Sequence, residues 1–319
     1  MDVVDVHAHA APARWLAEAR FPHVAVTSAG GVTFGDGSPG RPVPSLLTDW
    51  PADLAARGVW LSARGVDRQV VSVWPDLFGY SLPACEGADW AAQLTGALRT
   101  MCSADLRLRA LGTVPLQDPD AAAAAVAASG HGVVIGTRAG GRELDDPAFT
   151  PFWEAADEAG AVVFLHAGFG SAGPRYADFG LMNGLGRIED GTVTLARLLY
   201  AGIPARFPGL KLVAANGGGA LPYVLGRLVR NHLLDPAGTS DPLESFALLY
   251  FDSVVSDSEA VEFLVAKAGA DHVLLGSDYP FAIGDPAPRE TVLRARLTLA
   301  ERELILGGNA ASLFPGQGP

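Results

Sequence analysis

The chain has 319 residues, 49% of them hydrophobic, with a formal charge of −12 and a pI near 4.9. That acidity excludes a nucleic-acid binder, since no basic face exists to displace counterions from phosphates, and an anionic substrate would need a few arginines working against the global field. No basic segment leads into an apolar core at the start, and no apolar run approaches the ~18 residues of a membrane span, so a soluble, cytoplasmic protein without a membrane partner is expected.

The first predicted strand, residues 2–8, runs straight into His7-Ala8-His9. Side chains two apart on a strand share a face, so both imidazoles project together at its C-terminal edge. Such a pair suits a divalent metal, for which neutral imidazole is a common ligand.

From about Arg14 to Asp53 the chain is rich in Gly, Pro and Ser and only weakly periodic. It is read as an insertion after the first strand, covering the mouth of the site. Seven further apolar runs follow at 69–74, 107–113, 133–137, 162–166, 211–215, 249–253 and 272–277. The clearest, such as Ala161–His166, are short and continuously apolar, as strands buried on both faces are. Between them lie segments with helical spacing at 89–101, 118–129, 151–159, 194–206 and 256–268, several opening on a residue suited to cap a helix.

Strand alternating with helix eight times predicts a single (β/α)₈ TIM barrel spanning residues 1–319, with a doubly wound sheet as the alternative. Barrel enzymes place their chemistry at the C-terminal strand ends. That rule collects His7 and His9 from the first strand, His166 from the fifth and Asp278 from the turn Gly276–Phe281 after the eighth. Three imidazoles and a carboxylate make a nitrogen and oxygen site for one divalent metal, with room for water. His23, His131, His232 and His272 are not expected to be ligands, although His23 lies where the insertion could bring it to the mouth. Cys85 and Cys102 are expected as buried thiols rather than a disulfide.

The His-x-His strand end, His166, Gly217-Gly218-Gly219 and Gly276-Ser277-Asp278-Tyr279-Pro280-Phe281 together resemble the amidohydrolase superfamily. Within it the chain is similar to the branch of 2-amino-3-carboxymuconate-6-semialdehyde decarboxylase, through Arg41-Pro-Val, Leu77–Tyr80, Val114–Asp118, Leu144–Pro147, Gly217–Arg227 and Gly308-Asn-Ala. The likeness covers nearly the whole chain and is weakest in the insertion and in residues 168–191.

The resemblance implies that His7, His9, His166 and Asp278 hold the metal, usually zinc. It implies that Arg41 and Arg227 bind substrate carboxylate, Arg227 reaching in from the neighbouring subunit of a homodimer. Phe281 and Tyr80 are expected to line the pocket. The implied activity is non-oxidative decarboxylation of a small unsaturated or aromatic carboxylic acid. One residue departs from the pattern. Asn216 stands where the family's decarboxylases carry an acid/base histidine, and an amide cannot carry a proton near neutral pH. Three readings of that change stay open: Asn216 orients water while Asp278 or a loop residue handles the proton; the reaction is instead hydrolysis, hydration or tautomerisation by metal-activated water; or the site binds a metabolite without turnover.

Overall fold

The computed structural model describes residues 2–26, 31–34, 50–130, 132–168 and 173–315, with backbone only for 50–53. Eight parallel strands form the central sheet in the order β1 (Val4–Ala10), β4 (Arg68–Val73), β5 (Leu108–Thr113), β6 (Gly132–Ile135), β9 (Val162–Leu165), β10 (Lys211–Ala214), β11 (Tyr250–Asp252) and β12 (Val273–Leu274). Each of these falls on one of the eight apolar runs. The sheet closes on itself past the end of β12. Val6 N–H donates to Leu275 O at 2.8 Å, Asp278 N–H to His7 O at 2.8 Å and His9 N–H to Tyr279 O at 2.7 Å. The protein is therefore a TIM barrel, as the alternation of elements predicts.

Alternate residues of each strand fill the interior or face the helices. Val134, Val162, Phe164, Val213 and Leu274 share the inner cluster, whereas Val133, Val163, Leu165, Leu212 and Val273 belong to the cluster under the outer helices. The helices around the barrel include α3 (Ala84–Cys102), α4 (Pro119–Ala127), α5 (Thr150–Glu158), α6 (Arg187–Tyr200), α8 (Leu221–His232) and α10 (Ser258–Ala268). Asp118 caps α4 by accepting from Ala121 N–H, and Asp257 caps α10 by accepting from Glu259 N–H.

Between β1 and β4 lie α1 (Ala13–Glu18), an antiparallel hairpin of β2 (Val24–Val26) with β3 (Val32–Phe34), and α2 (Trp50–Arg64). The helix α2 takes in the last residues of the stretch read as insertion. Trp15, Phe21 and Phe34 set their rings on Trp90 of α3, with centroids 5.0, 5.3 and 5.2 Å away. His23 pairs there with Glu86 at 2.6 Å, on the flank of the barrel. Cys102 is buried as expected, but Cys85 is exposed. It sits in the first turn of α3, where that helix turns a face to solvent, so the expectation of two buried thiols is corrected at this position.

Candidate active site and metal centre

Strand parity delivers the ligands. On β1, His7 and His9 share one face, and their Nε2 atoms meet at 3.1 Å. On β9, Val162 and Phe164 point inward, so the next residue of that parity, His166, does too. Leu274 is the inward residue of β12, and the same parity leads through Gly276 to Asp278. A Cβ at Gly276 would lie 2.8 Å from Val254 Cγ2 and 3.1 Å from both Asp252 Cβ and His7 Cβ. Only glycine lets this strand end approach the histidines.

One nitrogen or oxygen from each of His7, His9, His166 and Asp278 lies within 4.8 Å of all the others. His7 Nε2 is 3.1 Å from both His9 Nε2 and His166 Nε2, and Asp278 Oδ1 is 3.1 Å from His9 Nε2 and 3.5 Å from His7 Nε2. Bonds of about 2.0–2.1 Å to one ion place neighbouring donors at about this separation. The opposite ring nitrogens are occupied elsewhere: His7 Nδ1 lies 2.5 Å from Asp252 Oδ2, His9 Nδ1 3.1 Å from Ser72 Oγ, and His166 Nδ1 2.9 Å from Ala167 O. Protons held on Nδ1 turn three Nε2 lone pairs toward one point, an arrangement that repels itself until a cation sits there. The residues fit one divalent metal.

The electrostatics agree. Burial holds His166 well below the usual imidazole range, and the charge of His7, His9 and Arg187 adds to it. Burial also lowers His9, against the pull of Asp278. Burial alone would lower His7 as well, but the carboxylates of Asp252, Asp278 and Asp5 together outweigh it and raise the ring. Asp278 would be raised by burial, yet its bond to His9 and the nearby positive groups bring it below the carboxylate range. Below these ligands Asp5 is fully buried and accepts from Ser277 Oγ at 2.5 Å, Gln69 Nε2 at 2.7 Å and His7 N–H at 3.1 Å. Burial pushes it up to about 6 despite those bonds.

A cavity of about 510 Å³ opens onto the ligands. His9, His166 and Asp278 line it with Asn216, Arg187, Asn183 and Ser256, while Trp74, Val254, Phe281 and Ile283 form an apolar wall. The Phe281 ring is 5.5 Å from that of His9. Asn216 (φ 55°), Ser256 (φ 56°) and Asp278 (φ 61°) are three of the four described non-glycine residues in left-handed backbone, and all three line this cavity. Such conformations are costly and concentrate where a side chain must be aimed.

The structure does not gather every expected residue. Tyr80 is turned away from the cavity lining, its hydroxyl accepting from Gly136 N–H at 3.2 Å, and burial raises its pKa. Arg227 is exposed on α8 and does not line the cavity. Arg41 lies outside the described residues, as does His131. His232 bonds Thr239 and His272 bonds Leu249 O, away from the ligands.

Two functional candidates escape the sequence reading. Asp252, at the end of β11, is fully buried. Besides His7 it accepts from Asn216 N–H at 3.0 Å, Gly217 N–H at 2.9 Å and Val254 N–H at 3.0 Å. It thus orients a ligand and anchors the Asn216 turn, where Gly217, Gly218 and Gly219 all take left-handed φ. A carboxylate ending a strand was the available signal. Asp252→Asn is expected to weaken metal binding about 10- to 100-fold, since outer hydrogen-bond partners of ligating histidines carry effects of this size. Competition against a zinc chelator measures it, and unchanged affinity would mean that packing alone holds His7. The second candidate, Arg187, had no motif around it.

The family model described as amidohydrolase matches residues 4–316. A 2-amino-3-carboxymuconate-6-semialdehyde decarboxylase from Dictyostelium discoideum is 29% identical over 273 residues, covering 82% of this chain and 76% of its own. A 6-methylsalicylic acid decarboxylase from Penicillium expansum is 31% identical over 206 residues, 58% of this chain and 60% of its own. In fold the chain is similar to a manganese-bound 5-carboxyvanillate decarboxylase from Novosphingobium aromaticivorans, with a TM-score of 0.77, 19% identity, and coverage of 98% of this chain and 96% of the other. With its ligands on three strand ends and its sequence matched almost end to end, the chain belongs to the amidohydrolase family, in the branch that holds the 2-amino-3-carboxymuconate-6-semialdehyde decarboxylases.

Proposed function

We propose that this protein is a metal-dependent decarboxylase of a small unsaturated or aromatic carboxylic acid. The observation that carries the reading is the convergence of His7, His9, His166 and Asp278 at a cavity that His9, His166 and Asp278 line together with the apolar side chains of Trp74, Val254, Phe281 and Ile283. The decarboxylase names of the relatives support it. Zinc is the proposed ion, because three imidazoles and one carboxylate are a donor set it favours, and the manganese in a structural relative makes that ion the one to compare. When bound, a divalent cation there supplies positive charge where negative charge develops as CO₂ leaves.

The chain's own groups do the rest. Phe281 and Trp74 hold the planar part of the substrate against the wall. The bond from carbon to carboxylate breaks, its electron pair stays on carbon, and a proton must replace CO₂ there. Asn216 donates a hydrogen bond but no proton, so Asp278 passes the proton in from water. Arg227, exposed on α8, would serve the neighbouring site of a homodimer, with Arg41 as the partner expected for the substrate carboxylate.

Asn216 also favours a second reading, a hydrolase, hydratase or tautomerase. Incubating the metal-loaded protein with unsaturated and aromatic acids separates them. Decarboxylation is expected to release CO₂ in step with a product lighter by the same mass. A product heavier by water would replace that reading with a hydratase, and no turnover of any acid would leave a metabolite-binding protein.

A further inference from the structure

The cavity contains a cation that the expected pair of arginines does not supply. Arg187 opens α6, directly after a π-helical turn over Met182–Gly186, and Asn183 lies four residues before it. Both side chains line the same cavity as His9, His166 and Asp278, and among the described lining residues Arg187 is the only lysine or arginine. Single π-turns inside helices are frequent at functional sites, and the extra residue re-aims the side chains that follow. Arg187 Nη1 donates to Ala167 O at 2.7 Å, the carbonyl that also faces His166 Nδ1 at 2.9 Å. The guanidinium is thereby held in a set orientation beside the metal centre.

A protein with a net charge of −12 repels an anion at long range, and this cavity also carries the Asp278 carboxylate. A substrate acid therefore needs a cation within the cavity besides the metal. Arginine suits the task, since its planar fork matches a carboxylate and stays charged at every working pH. We propose that Arg187 is a further carboxylate-recognition residue, selecting acids over their neutral analogues from within the subunit. This rests on reading the cavity as the substrate site. It differs from that reading in needing no partner subunit and no turnover.

The test is a binding measurement. Calorimetry on metal-loaded wild type compares salicylate, 2,6-dihydroxybenzoate and vanillate with their carboxamides. Wild type is expected to prefer at least one acid over its amide, and Arg187→Met to lose roughly 10- to 100-fold of that preference, the worth of a hydrogen bond to a charged group. Bound metal should stay the same. Arg187→Gln, which keeps a donor for Ala167 O but no charge, should show the same loss and decides the matter if the methionine variant does not fold. Three results would overturn the proposal: no acid preference in wild type, a preference unchanged in the variants, or metal lost from both variants, which would make Arg187 a positioning residue for His166. A protein that prefers acids through Arg187 but releases no CO₂ would overturn the decarboxylase and leave this assignment standing.

Discussion

Replacing His7 by Ala, or Asp278 by Asn, is expected to remove the bound metal and lower turnover by about 10³-fold or more. The loss follows from the several kcal/mol of charge stabilisation that a metal supplies in the transition state, at about 1.4 kcal/mol per factor of ten. The two variants should differ in stability. Asparagine tolerates the left-handed backbone of Asp278 (φ 61°) and fills the same volume, so Asp278→Asn keeps the fold. His7→Ala empties a buried position and strips Asp252 of its imidazole partner, leaving that carboxylate to three backbone N–H groups. A drop in Tm for His7→Ala but not for Asp278→Asn, with metal missing from both by elemental analysis, is the expected pattern. Full metal content in either variant would remove that residue from the ligand set.

The second large effect is a gain. Asn216→His is expected to raise decarboxylation of 2-amino-3-carboxymuconate semialdehyde by roughly 10²-fold, the low end of what general acid–base catalysis contributes. The backbone can accept the change, because histidine is among the side chains enriched at positive φ and Asn216 already sits at 55°. Its amide lines the same cavity as His9, His166 and Asp278, so an imidazole there faces the same space. The rate should then acquire a pH limb near the ordinary imidazole pKa of about 6.5, which wild type lacks. Normal metal content with unchanged activity would show that the site is adapted to a different acid, one for which Asp278 already manages the proton.

The eight strands could be read from residue order because each is a short apolar run, and burial on both faces demands nothing more elaborate. His7 and His9 announced themselves through spacing on one strand. Asp252 did not, because its partner His7 lies 245 residues away and a lone carboxylate in Phe251-Asp252-Ser253 resembles any strand end. Arg187 follows a π-turn that no simple periodicity describes. Tyr80 shows the reverse case: its family segment was legible, but which side the ring faces depended on Gly136, just past the end of β6, offering an N–H. Cys85 missed its expected burial for a similar reason, since one helix position decides between core and solvent.

Local patterns in this chain were sufficient to specify the barrel, the family and the four side chains that the barrel gathers within 4.8 Å of one another. Strand parity and the rule for strand ends act over a few residues each, so they are written in the order of amino acids. Closure of the barrel then set everything that depends on distance: the 3.1–3.5 Å spacing of the donors, Asp252 behind His7, and the guanidinium of Arg187 beside His166. Apart from the His7–His9 pair, those contacts join segments tens to hundreds of residues apart, and no property of either segment alone contains them.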